Sequence, residues 1–206
     1  MIELKLPKDL FLPLGDLLFQ KYQDSQIRIG EHFKLVTGKT PPTKNPEYYQ
    51  NGTIKWISSG VLTNLYFLTD ETKPSKLITE KAGKEFSLNY VKPNSVLIAN
   101  IDLNKNKIVW VRNCSNSCLG TDIWMFNQNV INLVSDKYFS TVLFFALRQI
   151  DFENYKTGLI LKRLQKPTLL NMKIPWVSDP NKQKKLLSLL NKELQTRNLN
   201  NHDRNI

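Results

Sequence analysis

A chain of 206 residues is long enough for one substantial core with an appendage, and two full domains would be cramped. Hydrophobic residues at 41% and charged residues at 23% exclude wholesale disorder, and no apolar run approaches the roughly 20 residues of a membrane span. The formal net charge of +11 points to nucleic acid ahead of a membrane surface, because no basic amphipathic helix with an aromatic lipid-facing edge is present.

The charge is unevenly distributed. Residues 1–30 and 63–90 each balance four cations against four anions, whereas 34–55, 104–112 and 156–185 hold the surplus, the last with eight cations against Asp179 alone. Three basic segments are what a single contact face would produce; they are also compatible with a solvated surface that keeps the chain in solution. The first ten residues carry acids and a proline where a signal peptide has basic and then apolar blocks, so the expected location is cytoplasmic.

In chain order, residues 1–26 read as a lead-in segment with one or two helical turns bounded by Pro13. Ile27, Ile29, Phe33 and Leu35 begin a domain expected over 27–177, with a first short strand. Residues 38–60, GKTPPTKNPEYYQNGTIKWISSG, start with a glycine and three prolines, which exclude helix and inner strand and leave a stiff loop. Its cations, hydroxyls, amides and rings suit a polyanion with readable edges, and taken alone they equally suit a polar surface loop. Ile54 and Trp56 then alternate as a strand.

A helix is expected from Ser75 to Ala82, stopped by Gly83. Lys92-Pro93-Asn94 reads as a turn, residues 95–99 as a buried strand, 102–107 as a basic turn and 108–111 as the return strand of a hairpin. Cys114 and Cys118, with only His32 and His202 elsewhere, do not make a zinc set, and free thiols are expected. A Ser/Asn-rich loop leads into a strand over 123–126. Residues 135–152 show helical spacing with Ser135 as the cap. After a basic segment carrying Gly158 and Pro167, Ile174-Pro175-Trp176 is expected to turn the chain outward. Asp179 and Pro180 then start a helix with Leu187, Leu190 and Leu194 at alternating steps of three and four, the spacing of a coiled-coil seam, and a frayed tail follows. The fold class expected is α+β, a mixed globular domain over 27–177 followed by a coiled-coil-forming helix and tail over 178–206.

Several of these stretches, in this order, resemble one family. A Gly-x-Thr-Pro loop with Asn-Pro-Glu-Tyr and a Trp-Ile strand (38–57) is followed by a Lys-Pro-Asn-Ser turn before an apolar strand (92–99) and a Gly-led strand (120–126). Then come a Tyr-bearing helix, a Thr-Gly…Lys-Arg-Leu segment (157–164) and an Ile-Pro step into a leucine helix (174–194). Together they resemble the target recognition domain and spacer helix of a type I restriction-modification specificity subunit.

The resemblance implies sequence-specific recognition of double-stranded DNA by a chain without chemistry of its own. It also implies a methyltransferase subunit that supplies S-adenosylmethionine chemistry, so no cofactor is expected here, and in some assemblies a translocase-nuclease subunit. One domain and one helix without internal repeat suggest a half-subunit, a truncated product or a domain cut from a larger fused restriction-modification enzyme; a homodimer through Leu187, Leu190 and Leu194 would restore two recognition domains. On this reading Lys39, Lys44, Lys55, Lys105, Lys107, Arg112, Lys162 and Arg163 hold phosphates, while Thr40, Thr43, Asn45, Tyr49, Ser115 and Asn116 face base edges. The absence of an Asn-Pro-Pro-Tyr motif, a glycine-rich cofactor loop or a convergent His, Cys or carboxylate set agrees with a non-catalytic role, and no metal is expected. The alternative is an assembly module whose leucine helix docks a partner while the basic face is incidental; an enzyme domain with an unrecognised site is a third reading.

Overall fold

The computed structural model describes residues 11–69, 72–111, 124–135, 140–158, 160 and 162–196. Arg112, Ser115, Asn116 and both cysteines lie outside these residues. Helix α1 (Phe11–Tyr22) runs for 12 residues where one or two turns were expected, because Pro13 falls in its first described turn, where a missing N–H costs nothing. Strand β1 (Ser25–Arg28), one helical turn α2 (Ile29–His32) and strand β2 (Lys34–Thr37) follow.

The proline loop then leads to β3 (Ile54–Ile57). The helix expected from Ser75 divides in two. Lys76–Ile78 forms strand β4, pairing antiparallel with β3, and helix α3 (Glu80–Glu85) starts only after Thr79, whose hydroxyl accepts from the Ala82 amide. Gly83 lies inside that helix and does not end it; a Cβ there would stand 2.9 Å from Met125 Cε, so close packing accounts for the glycine.

Strands β5 (Ser95–Ala99) and β6 (Ile108–Val111) form the expected hairpin. Next come β7 (Trp124–Phe126) and β8 (Val130–Val134), a strand that the sequence reading left unassigned. Helix α4 is described over Ser140–Arg148, and Asn94 Oδ1 from the 92–94 turn accepts from the Ser140 amide. A short hairpin of β9 (Lys156–Thr157) and β10 (Arg163–Leu164), helix α5 (Lys166–Asn171), strand β11 (Lys173–Trp176) and helix α6 (Pro180–Thr196) complete the order.

The central layer is a four-stranded antiparallel sheet in the order β2-β8-β5-β6. One face, with Val96, Ile98, Ile108, Trp110, Ile131 and Leu133, packs against α1, α4, β11 and α6. The other face, with Leu97, Ala99, Val109, Val111 and Val130, packs on Ile57, Leu62, Leu68 and Phe126, beneath the three-stranded sheet β4-β3-β7. Burial on both faces explains the continuous apolar run of β5. The same logic explains α4, which is buried on every side, with Trp110 Nε1 donating to Ser140 Oγ at 2.7 Å. At its end Arg148, 8% exposed, grips Asp16 of α1 with two bonds of 2.9 and 2.8 Å.

Two expectations about the ends of the chain change. Trp176 does not turn outward. It is 1% exposed and meets Phe33 edge-on at 5.7 Å, while Pro175 is tolerated because, among the described residues, β11 pairs with β1 alone. Leu190 and Leu194 likewise do not form an outward seam: they are 0% and 1% exposed, within the same cluster as Phe19 and Phe145. Of the three expected seam leucines Leu187 alone is half-buried, because the apolar stripe of α6 closes the chain's own helical layer, so the lead-in and C-terminal segments share one core with the rest.

Candidate nucleic-acid interface

Antiparallel pairing brings the basic segments together at one end of the central sheet. The registers set Thr37 of β2 opposite Ile131 of β8, Ala99 of β5 opposite Val130, and Ile98 opposite Ile108 of β6. The chain therefore leaves or enters the sheet at that end through three connections: the proline loop after Thr37, the turn 127–129 before β8, and the turn 100–107 between β5 and β6. The β9–β10 hairpin joins the same end, since Ile101 bridges to Arg163, Leu164 N donates to Asn100 O at 2.8 Å and Asp102 N to Lys162 O at 3.0 Å.

The proline loop is fixed from within. Gly38 is required by close approach, because a Cβ would lie 1.8 Å from Phe126 O and 2.4 Å from Asn127 O. Thr40 Oγ1 donates to Gln128 Oε1, tying the loop to the 127–129 turn. Tyr49 and Asn45, expected to face bases, also hold the loop's shape. Tyr49 donates its hydroxyl to Pro41 O at 2.7 Å beneath the Lys76 ammonium, and burial raises its pKa. Asn45 Oδ1 accepts from Glu47 N at 3.1 Å, starting a 3-10 turn over Pro46–Tyr48. Tyr48, buried, donates to Glu85 Oε1 at 2.6 Å, which raises its pKa first of all, so the loop is clamped to α3. Lys39, Thr43 and Lys44 project into solvent from this frame.

The cations of the other connections differ in availability. Lys105 is exposed on a 3-10 turn (Lys105–Lys107) whose carbonyl accepts from Arg148 Nη1 at 3.4 Å, so the buried Arg148–Asp16 pair also steadies the basic tip. Lys107 is half-buried and turns back to Ile101 O at 3.5 Å. Lys162 pairs with Glu153 at 3.2 Å, and Lys156 donates to the same carboxylate at 2.5 Å and to Leu103 O at 3.1 Å. The Lys156 and then the Lys162 hydrogen bond hold the Glu153 carboxyl below its usual range. Arg163 is exposed at the sheet end, whereas Lys55 sits apart on β3 of the smaller sheet.

Sequence reasoning missed Asn89, Asn100, Gln128, Asn129 and Lys166. Lys166 Nζ donates to Thr37 Oγ1 at 3.0 Å, and Asn89 Nδ2 to Thr37 O at 2.8 Å. The signal was present in WMFNQNVI, an amide-rich turn between two short apolar runs, which marks a short strand-to-strand connection. The resulting face sets Lys39, Lys105, Arg163 and Lys166 around exposed hydroxyl and amide groups, with Asp102 as an acid among them. Among the described residues no group of three His, Cys, Asp or Glu could hold a metal, and no helix is long and apolar enough to cross a membrane.

Solved structures share this fold. A chain from a type I R-M system, solved for its complex assembly and conformational transition, superposes with TM-score 0.60 at 14% identity, covering 93% of this chain and 46% of that one. The HsdS subunit from Thermoanaerobacter tengcongensis gives TM-score 0.55 at 13% identity, covering 95% and 47%. The type IIG restriction endonuclease BpuSI gives 0.56 at 12% identity, covering 88% of this chain and 28% of that enzyme. The chain thus spans about half the length of the first two and less of the third. Residues 23–205 match the family model described as the type I restriction modification DNA specificity domain, so the chain belongs to that family.

Proposed function

We propose that this chain reads one segment of a duplex DNA target for a restriction-modification assembly, with the sheet-end face as its contact surface. The observation that carries the reading is the convergence of the proline loop, the 100–107 turn and the β9–β10 hairpin, far apart in sequence, on one end of one sheet. Lys39, Lys44, Lys105, Arg163 and Lys166 hold phosphates, and the hydroxyls of Thr40 and Thr43 lie where base edges would pass. Lys107 and Lys162 contribute less, because Lys107 is half-buried against Ile101 O and the charge of Lys162 is already met by the Glu153 carboxylate.

The chain acts without catalysis of its own. A methyltransferase subunit supplies S-adenosylmethionine chemistry, and the outward face of α6, where Leu187 is half-buried, is the surface left for it. The likeness to BpuSI supports a second arrangement, in which such a domain is part of a fused enzyme. The test is enrichment of random duplexes by the full chain, alone and in the assembly that co-purifies with it, followed by mobility shift of the selected sequence. A reproducible motif bound more tightly than scrambled duplex is expected. Equal retention of all sequences at every salt concentration would refute the reading.

A further inference from the structure

The β9–β10 hairpin leaves the candidate face in a definite direction. Leu164 N donates to Asn100 O at 2.8 Å, next to the end of β5, and Asp102 N donates to Lys162 O at 3.0 Å, farther from the sheet along both segments. Strand β10 therefore runs toward the sheet from outside, and the connection between Thr157 and Arg163 lies beyond the sheet end. The base of this finger is fixed. Lys156, its side chain 4% exposed, donates to Leu103 O at 3.1 Å and to Glu153 Oε1 at 2.5 Å, while Ile101 bridges to Arg163. Gly158, at φ 113°, supplies the left-handed backbone by which the chain leaves β9.

Turn chemistry alone favours Gly, Asn, Asp and Ser at such a tip. Here the sequence between Gly158 and Lys162 is Leu-Ile-Leu, and Ile160 stands wholly in solvent, whereas Leu17, the next most exposed large apolar side chain among the described residues, is 63% exposed. The setting indicates what covers it. From 156 to 166 the chain carries Lys156, Lys162, Arg163 and Lys166 and no acid, so the surface that meets the tip is anionic. Against a duplex, a ribbon of two strands about 4.8 Å apart, with its side chains, fits the major groove, about 12 Å wide, and exceeds the undistorted minor groove, about 6 Å wide. Base edges in the major groove present hydrogen-bonding groups and one apolar group, the C5 methyl of thymine. We propose that Ile160 is a specificity-determining residue that enters the major groove and reads a thymine through its methyl group. This rests on the DNA-reading function proposed above. It adds an apolar reader, outside the set expected from sequence, to a face otherwise built from cations, hydroxyls and amides.

Enrichment of random duplexes by the full chain tests it, comparing wild type with Ile160→Ala and Ile160→Val, followed by fluorescence anisotropy on the selected duplex. Wild type should select a motif with a thymine at which deoxyuridine, which lacks only the methyl, weakens binding about fourfold, the worth of one buried methyl-sized group. Ile160→Ala should bind the thymine and deoxyuridine duplexes alike and lose the preference at that base pair alone. Ile160→Val should keep it. Urea midpoints should be alike in all three proteins, since an exposed side chain is changed, and so should the salt dependence of binding, since no charge is removed. An Ile160→Ala protein that still distinguishes thymine from deoxyuridine at that position overturns the assignment while leaving DNA recognition intact. Equal weakening of Ile160→Ala on every sequence would mean a wedge between base steps, and unchanged DNA binding with loss of a co-purifying subunit would mean a protein contact; either overturns it. No motif from wild type removes the functional reading and this inference with it.

Discussion

Truncating Leu190 to alanine distinguishes a helix that closes its own core from one that waits for a partner. Leu190 is fully buried against the helical layer, as is Leu194, whereas Leu187 on the same helix is half-buried. Loss of a fully buried leucine side chain removes its transfer free energy and leaves a cavity, together about 2–5 kcal/mol. For a chain of this size each kcal/mol moves the thermal midpoint by about 2–4 °C, so Leu190→Ala should fall by about 4–20 °C. Leu187→Ala, at the half-buried edge of the same cluster, should cost less than Leu190→Ala. Urea unfolding followed by circular dichroism at two protein concentrations reads both quantities. An intramolecular core predicts unequal costs and a midpoint that does not depend on concentration. Similar costs for Leu187, Leu190 and Leu194, with a wild-type midpoint that rises with concentration, would mean that the leucines meet a second chain and would refute the packing described here.

Acid sensitivity follows from Asp24, whose carboxylate accepts from Ser178 N at 2.7 Å and Asp179 N at 3.2 Å beside Lys182. The Ser178 amide is the main cause of its lowered pKa. A carboxyl depressed in the folded state stabilises the fold above its ordinary value of 3.8, and that stability is lost as pH falls from there through the folded value. Asp24→Asn should therefore be less stable at neutral pH and show a flatter decline below about pH 3.8 in urea midpoints. Gly38→Ala places a methyl 1.8 Å from Phe126 O, so it should destabilise by about 1–3 kcal/mol and weaken DNA binding more than Lys39→Ala, measured by urea unfolding and fluorescence anisotropy. Lys105→Ala and Arg163→Ala should each reduce the slope of log affinity against log salt by about 1 without changing the preferred sequence, and Lys162→Ala by less, because Glu153 already pairs with it.

Much of the fold was legible because its signals are local. The alternation of Ile54 and Trp56, the apolar run of β5, the return strand of β6 and the Asp179-Pro180 start of α6 are written in neighbouring residues. Asp179 Oδ1 does accept from Asn181 N at 2.7 Å and Lys182 N at 3.1 Å. What was misread depends on contacts that neighbours do not reveal. Lys76–Ile78 has helical spacing in isolation, yet pairs with β3, and Gly83 looks like a helix stop until Met125 is placed above it. The leucines of α6 have a seam spacing that a coiled coil and an intramolecular layer share, and only the apolar faces of α1 and α4 decide between them.

The site was legible in part for the same reason. Composition marked the three basic segments, but nothing in sequence says that Thr37, Ala99 and Ile108 finish at one end of one sheet, since that requires β8 between β2 and β5. Tyr49 and Asn45 were expected to face bases on residue type alone. Their partners, Pro41 O and Glu47 N, show them holding the loop's shape.

The most direct measurement is the methylome of cells that carry the proposed methyltransferase partner with this chain, without it, and with the chain altered at the sheet end by Lys39→Glu, Arg163→Glu and Lys166→Glu together. Methylation of a defined sequence that depends on the chain, and is lost with the three changes while the protein still folds, is the result expected. The same methylated sequence in all three cells would contradict the account.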